Sequence, residues 1–188
     1  MSDDRNAIRR RINQTNITVG VVANLLGGAA VITADTLGWA RVPMTGVVWF
    51  AVLSIAFFVL FTAINQTRSE YTEAFMDRFF WGSMLAQIPV FALGALLSDE
   101  VRPIALLFSM VLLAMLFLRA DFVQALVYGL TLAGLYLAAS ALAPWLIGGT
   151  ERLAEDVFNL VVWMPTLGVM ALLAGQQHRI RTRLTQQR

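Results

Sequence analysis

The sequence predicts an all-α polytopic membrane protein, a bundle of six transmembrane helices with both termini in the cytoplasm. Three observations predict it. Apolar residues make up 58% of the chain and charged residues only 14%, against roughly 25% charged in an ordinary soluble domain. The apolar residues fall into six runs, each near the ~20 residues that a spanning helix needs. The fourteen basic residues are all arginines, and they gather at alternate ends of those runs.

Residues 1–17 form a polar leader in which Arg5, Arg9, Arg10 and Arg11 surround Ile8 and Ile12. It reads either as a short helix lying on the headgroups or as a charged segment that only fixes orientation. It is not a cleavable signal peptide, because its apolar run starts late and no small-residue cleavage pattern follows. The runs are Thr18 to about Trp39, Met44–Ile64, Phe79–Leu97, Pro103–Leu118, Phe122–Ile147 and Val157–Ala174. The fourth is the shortest, which local thinning of a bilayer accommodates, and the fifth the longest, which tilt accommodates. Runs this uniformly apolar lack the alternation of a membrane barrel, so helices are expected.

The connections are short, which makes successive helices antiparallel neighbours. Ser98–Arg102 joins the third and fourth runs, with Pro103 placed to begin a helix. Arg119–Asp121 joins the fourth and fifth. The longer segment Asn65–Arg78 has room for a short surface helix. Trp39, Trp81 and Trp145 stand near run ends, where aromatic belts form. Segments 1–17, 65–78, 119–121 and 175–188 hold eleven arginines, and the alternate loops hold Arg41, Arg102 and Arg152. That bias places the first set in the cytoplasm. The expected organisation is a basic leader over 1–17, a six-helix membrane domain over 18–174 and a basic helical stalk or linker over 175–188.

The patterns that carry catalysis are missing from these residues. There is no Walker loop, no His-Glu-x-x-His and no Gly-x-Ser-x-Gly. With no cysteine and one histidine, His178, among tail arginines, neither a metal site nor a cofactor is expected. Nucleic acid is not expected either, since the arginines mark topology and form no basic face. No acid or base falls at the centre of a run, and Asp35 reads as an interfacial charge within reach of water or Arg41. Polar residues do recur on helical faces: Asn159, Trp163 and Thr166 beside Pro165; Gln124, Tyr128 and Thr131; Ser83 and Gln87 before Pro89. Gln87, Gln124, Tyr128, Asn159 and Trp163 are the candidates for a small-ligand pocket. The competing reading is interhelical hydrogen bonding, worth about 0.6 kcal/mol each. Ala125, Gly129 and Ala133 make a small-residue strip, either a packing device or a dimer face.

The last run passes into the tail with only Gly175 between them, at a cost of roughly 1 kcal/mol to a helix. Leu173, Gln177, Ile180 and Leu184 follow the 4-3-4 spacing of a coiled-coil seam. With the Pro165 kink upstream, Leu173, Ile180 and Leu184 are the candidates for a signal exit. A basic stop-transfer flank accounts for the same residues.

Several stretches together resemble a known family: Phe57-Phe-Val-Leu-Phe61, Phe75-Met-Asp77, Leu85-Ala-Gln87, Val101-Arg-Pro-Ile-Ala-Leu-Leu107, Leu116-Phe-Leu-Arg-Ala-Asp-Phe-Val-Gln124 and Gly134-Leu-Tyr136. The order is similar to the six-helix membrane regions at the N-terminus of bacterial GGDEF-type diguanylate cyclases. Those regions carry an acid before the third helix, an arginine before the fourth and a glutamine at the start of the fifth. Asp77, Arg102 and Gln124 match these places. The chain departs from the family in having no Gly-Gly-[Asp/Glu]-Glu-Phe and no nucleotide site, so the catalytic domain is absent from it. The resemblance implies a sensor or anchor module in a bacterial inner membrane, relaying a signal through its last helix to a cytoplasmic output. It would be an enzyme only where an output domain follows. The lipid bilayer, a second copy meeting through the last helix and an unknown small ligand are the expected partners. Histidine kinases and adenylate cyclases use similar membrane halves. The alternative is a small transporter or channel subunit, against which the lack of buried charge and of an internal repeat stands.

Overall fold

The computed structural model describes residues 2–100, 102–116, 119–146 and 152–186, with side chains from 6 to 183 within those ranges. They form six helices: α1 (Ser2–Thr36), α2 (Met44–Thr67), α3 (Glu73–Leu96), α4 (Arg102–Leu116), α5 (Phe122–Leu146) and α6 (Leu153–Gln186). No strand occurs among the described residues. All but α4 are long and apolar enough to cross a bilayer, which suggests a membrane protein. With 15 residues, α4 reaches about 22 Å at 1.5 Å per residue, short of a ~30 Å hydrocarbon core.

Helix positions follow the apolar runs, and helix ends overrun them where the chain turns polar. Arginine and glutamine are good helix formers, so α6 continues through Pro165 and Gly175 to Gln186. The leader behaves alike. It forms the first four turns of α1, with Asn13 and Ile17 buried, and not a separate headgroup helix. No surface helix forms after α2 either. That helix runs to Thr67, residues 68–72 turn, and the Thr72 hydroxyl caps α3 by accepting from the Phe75 amide. At the α1–α2 turn Gly38 takes the left-handed φ of 71°, which glycine adopts without penalty. Asp35 Oδ1 accepts from the Val42 amide at 3.0 Å, so Asp35 holds this turn and does not float as a free interfacial charge.

Helices α3 to α6 share the main core, which includes Phe80, Met84, Leu112, Leu132, Tyr136 and Leu167. The α1–α2 hairpin leans on that bundle through two smaller clusters: Ile17, Phe57, Phe61 and Phe79 at one end, and Val31, Ala40 and Leu97 at the other. The Ala125/Gly129/Ala133 strip proves to be a packing device within the bundle. A Cβ on Gly129 would stand 2.1 Å from Leu167 Cδ1, so any larger residue here has to displace the Leu167 side chain of α6. The chain termini and the α2–α3 and α4–α5 connections share one end, the terminal face. The α1–α2 turn, the end of α3 with the start of α4, and the start of α6 share the other, the loop face.

Candidate functional site

At the loop face the fold buries an arginine. Arg102 opens α4 with no exposed surface. Its Nη1 donates to Asp156 Oδ2 at 2.6 Å, its Nη2 to Asp99 Oδ1 at 2.5 Å, and its Nε to the Ala95 carbonyl at 3.0 Å. Asp156 is 3% exposed and accepts twice more, from Tyr136 Oη at 2.7 Å and Ser140 Oγ at 2.6 Å. Four helices and one connection supply the groups. Tyr136 and Ser140 lie four residues apart on one face of α5. Asp156 lies in the first turn of α6, where the helix dipole favours an anion. Asp99 and Arg102 bracket the turn into α4, and Ala95 closes α3.

Each nitrogen of the guanidinium donates to an acceptor, and Asp156 spreads its charge over three donors. Such saturation is what makes a buried ion pair tolerable, since desolvation otherwise exceeds the Coulombic gain. Glu100 beside it stays exposed. The Ser98 hydroxyl donates to its carboxylate, and that bond holds Glu100 below the usual carboxylate range.

The residues chosen from the sequence as a pocket are placed as follows. Tyr128 is buried, and its hydroxyl donates to the Met84 carbonyl at 2.9 Å. Trp163 is buried with Nε1 unpartnered. Asn159 is half-buried against the Tyr136 hydroxyl. Gln87 is buried and accepts from Asn24 Nδ2 at 3.5 Å, the outer limit of a hydrogen bond. Gln124 corrects the expectation of inward facing. It is exposed and forms a reciprocal cap at the start of α5: its amide donates to Asp121 Oδ1 at 2.8 Å, and its Oε1 accepts from the Asp121 amide at 3.1 Å. That is a capping box. Two apolar cavities lie elsewhere, one between α1 and α4 and one among α1, α2, α3 and α4, and none of the five lines either.

Of the exit residues, Leu173 and Ile180 are exposed, while Ala171, Ala174 and Gly175 are buried. At 100° per residue the two sets face opposite ways, so the apolar edge of α6 points away from its own bundle. The side chain of Leu184 lies outside the described residues. At the terminal face Arg9 pairs with Glu73 and donates to the Tyr71 carbonyl. Arg119 pairs with Asp77 and stands 3.7 Å from Glu73. Arg181 of α6 lies nearby, its pKa lowered by burial and by the charge of Arg119.

No protein-family model, no curated protein and no solved structure matches the chain. Two of the three residues that carry the resemblance nevertheless make long-range ion pairs: Arg102 with Asp156 and Asp77 with Arg119.

The sequence reading passed over Asp99, Ser140 and Asp156, and it took Arg102 as a topology signal and, with Tyr136, as part of the resemblance, not as a buried ion-pair partner. A signal was present: Asp99/Arg102 at i, i+3 and Tyr136/Ser140 at i, i+4 each align two hydrogen-bonding groups on one face. The expected lack of buried charge, used against a transporter, does not hold.

Proposed function

We propose that the chain is a membrane sensor or anchor module. It crosses a bacterial inner membrane six times with both termini in the cytoplasm, and it relays a change at its loop face through α6 to a cytoplasmic output of the diguanylate-cyclase type. One observation carries this reading: a single unbroken helix, α6, holds Asp156 of the buried cluster near one end and the outward Leu173–Ile180 edge toward the other. A shift at Asp156 is therefore carried along one continuous helix to the tail. The eleven-to-three arginine bias supports the orientation.

Single cysteines along 173–183, cross-linked in native membranes, test the relay. The expected yield has a period near 3.5 residues, and Asp156→Asn moves its maximum. A flat profile, or one indifferent to Asp156→Asn, sinks the relay. Labelling of Glu100→Cys and Thr185→Cys from the two sides checks orientation, and periplasmic labelling of the latter rules it out. The second reading, a small transporter or channel subunit, rests on the buried Arg102–Asp156 pair. Solute flux into proteoliposomes that Arg102→Ala abolishes would replace the relay with it.

A further inference from the structure

A groove of about 460 Å³ runs between α1 and α4. Its α1 wall extends from Thr18 to Gly27, about 14 Å along the helix. Val22 and Leu26 on that side and Leu107 on the other stand exposed in it. Gly27, Ile104 and Phe108 line both this groove and a smaller cavity of about 40 Å³ behind it, so the groove leads inward. The lining is aliphatic except for Thr18 and Phe108. The hydroxyls of Thr15 and Thr18 are turned back onto the carbonyls of Arg11 and Gln14, so they offer little to a polar guest.

One charge stands in line with the groove. Arg11, Thr15, Thr18 and Val22 follow i, i+4, i+7, i+11 spacing, so they share one face of α1. Arg11 lies about 10 Å beyond Thr18 toward the terminal face, and its long stem can lean back along the helix. It is exposed, and no ion pair among the described residues involves it. Arg9, two residues earlier, is already held by Glu73.

We propose that this groove binds one anionic phospholipid, an acyl chain lying between α1 and α4 and the headgroup phosphate on Arg11. A concave apolar channel as long as several helical turns fits a flexible hydrocarbon chain. A cation at its interfacial end selects an anionic headgroup, which is the charge complementarity by which basic residues near a membrane surface recognise lipid. The site rests on the bilayer placement of the helices but not on the relay, so a flat cross-linking profile along α6 would leave it standing.

Native mass spectrometry of the whole chain, equilibrated in detergent with equal phosphatidylglycerol and phosphatidylcholine of the same acyl chains, tests it. The wild type is expected to retain one lipid, phosphatidylglycerol over phosphatidylcholine by about fivefold, the factor one interfacial arginine supplies. Arg11→Gln brings the ratio to near one and Arg11→Lys restores it. Ala23→Phe, filling the α1 wall, and Leu107→Trp, filling the α4 wall, each lose the adduct, so one misfolded variant does not leave the question open. Several lipids retained without headgroup preference, alike in all variants, would mean an unselective lipid shell and overturn the site. Lipid-free dimers that Ala23→Phe converts to monomers would assign the groove to a second copy and overturn it too.

Discussion

Arg102 and Arg119 make the same kind of bond at opposite ends of the bundle. Each pairs with two carboxylates, Arg102 with Asp99 and Asp156 and Arg119 with Glu73 and Asp77. Around Arg102 water is excluded, and the partners are 8% and 4% exposed. Around Arg119 the partners, Glu73 and Asp77, are 68% and 60% exposed. Solvent replaces a lost partner at the terminal face and not at the loop face. The difference teaches that burial, and not the ion pair itself, sets how much of the fold depends on each arginine.

The sharpest test of that difference is Arg102→Ala. It leaves Asp99 and Asp156 buried without their cation, so a loss of about 3–5 kcal/mol is expected, read as thermal unfolding in detergent. A loss under about 1 kcal/mol would erase the contrast between the two ends. Tyr136→Phe removes one of three donors to Asp156 and should cost about 1–3 kcal/mol, with Ser140→Ala alongside as an independent measure of the same carboxylate. Arg119→Gln should cost about 0.2–1 kcal/mol, and the effect should shrink as salt is raised. If salt leaves it unchanged, the terminal face is drier than its exposed carboxylates indicate. The smallest effect belongs to Gln124→Ala, which trims a solvated cap. It should shift stability by less than about 0.5 kcal/mol and leave the lipid ratio untouched, whereas a pocket residue would alter binding.

Most of the fold was legible because its signals are local. Six apolar runs became six helices, and Ala125, Gly129 and Ala133 marked the α5 face that α6 meets. The cluster was harder to read because its parts lie in three segments, and each part alone has an ordinary explanation. Arg102 looks like a loop charge, Asp156 like a first-turn acid and Tyr136 like a belt aromatic. Only packing brings them within 3 Å. Gln124 misled for a related reason: helical spacing assigned it a face, but its place in the first turn of α5 gave it a backbone to cap. Trp163 is buried, yet its indole N–H finds no partner, which spacing alone does not foretell.

The position of Asp156 also orders events during synthesis. The chain is made from its N-terminus, so Arg102 is made well before the residue that completes its neutralisation. Through the making of α5 it has Asp99 and the Ala95 carbonyl, while Tyr136 and Ser140 arrive with donors aimed at an acceptor still to come. The sixth helix therefore acts as a keystone: it supplies the missing carboxylate, and a nascent bundle without it holds an arginine one bond short.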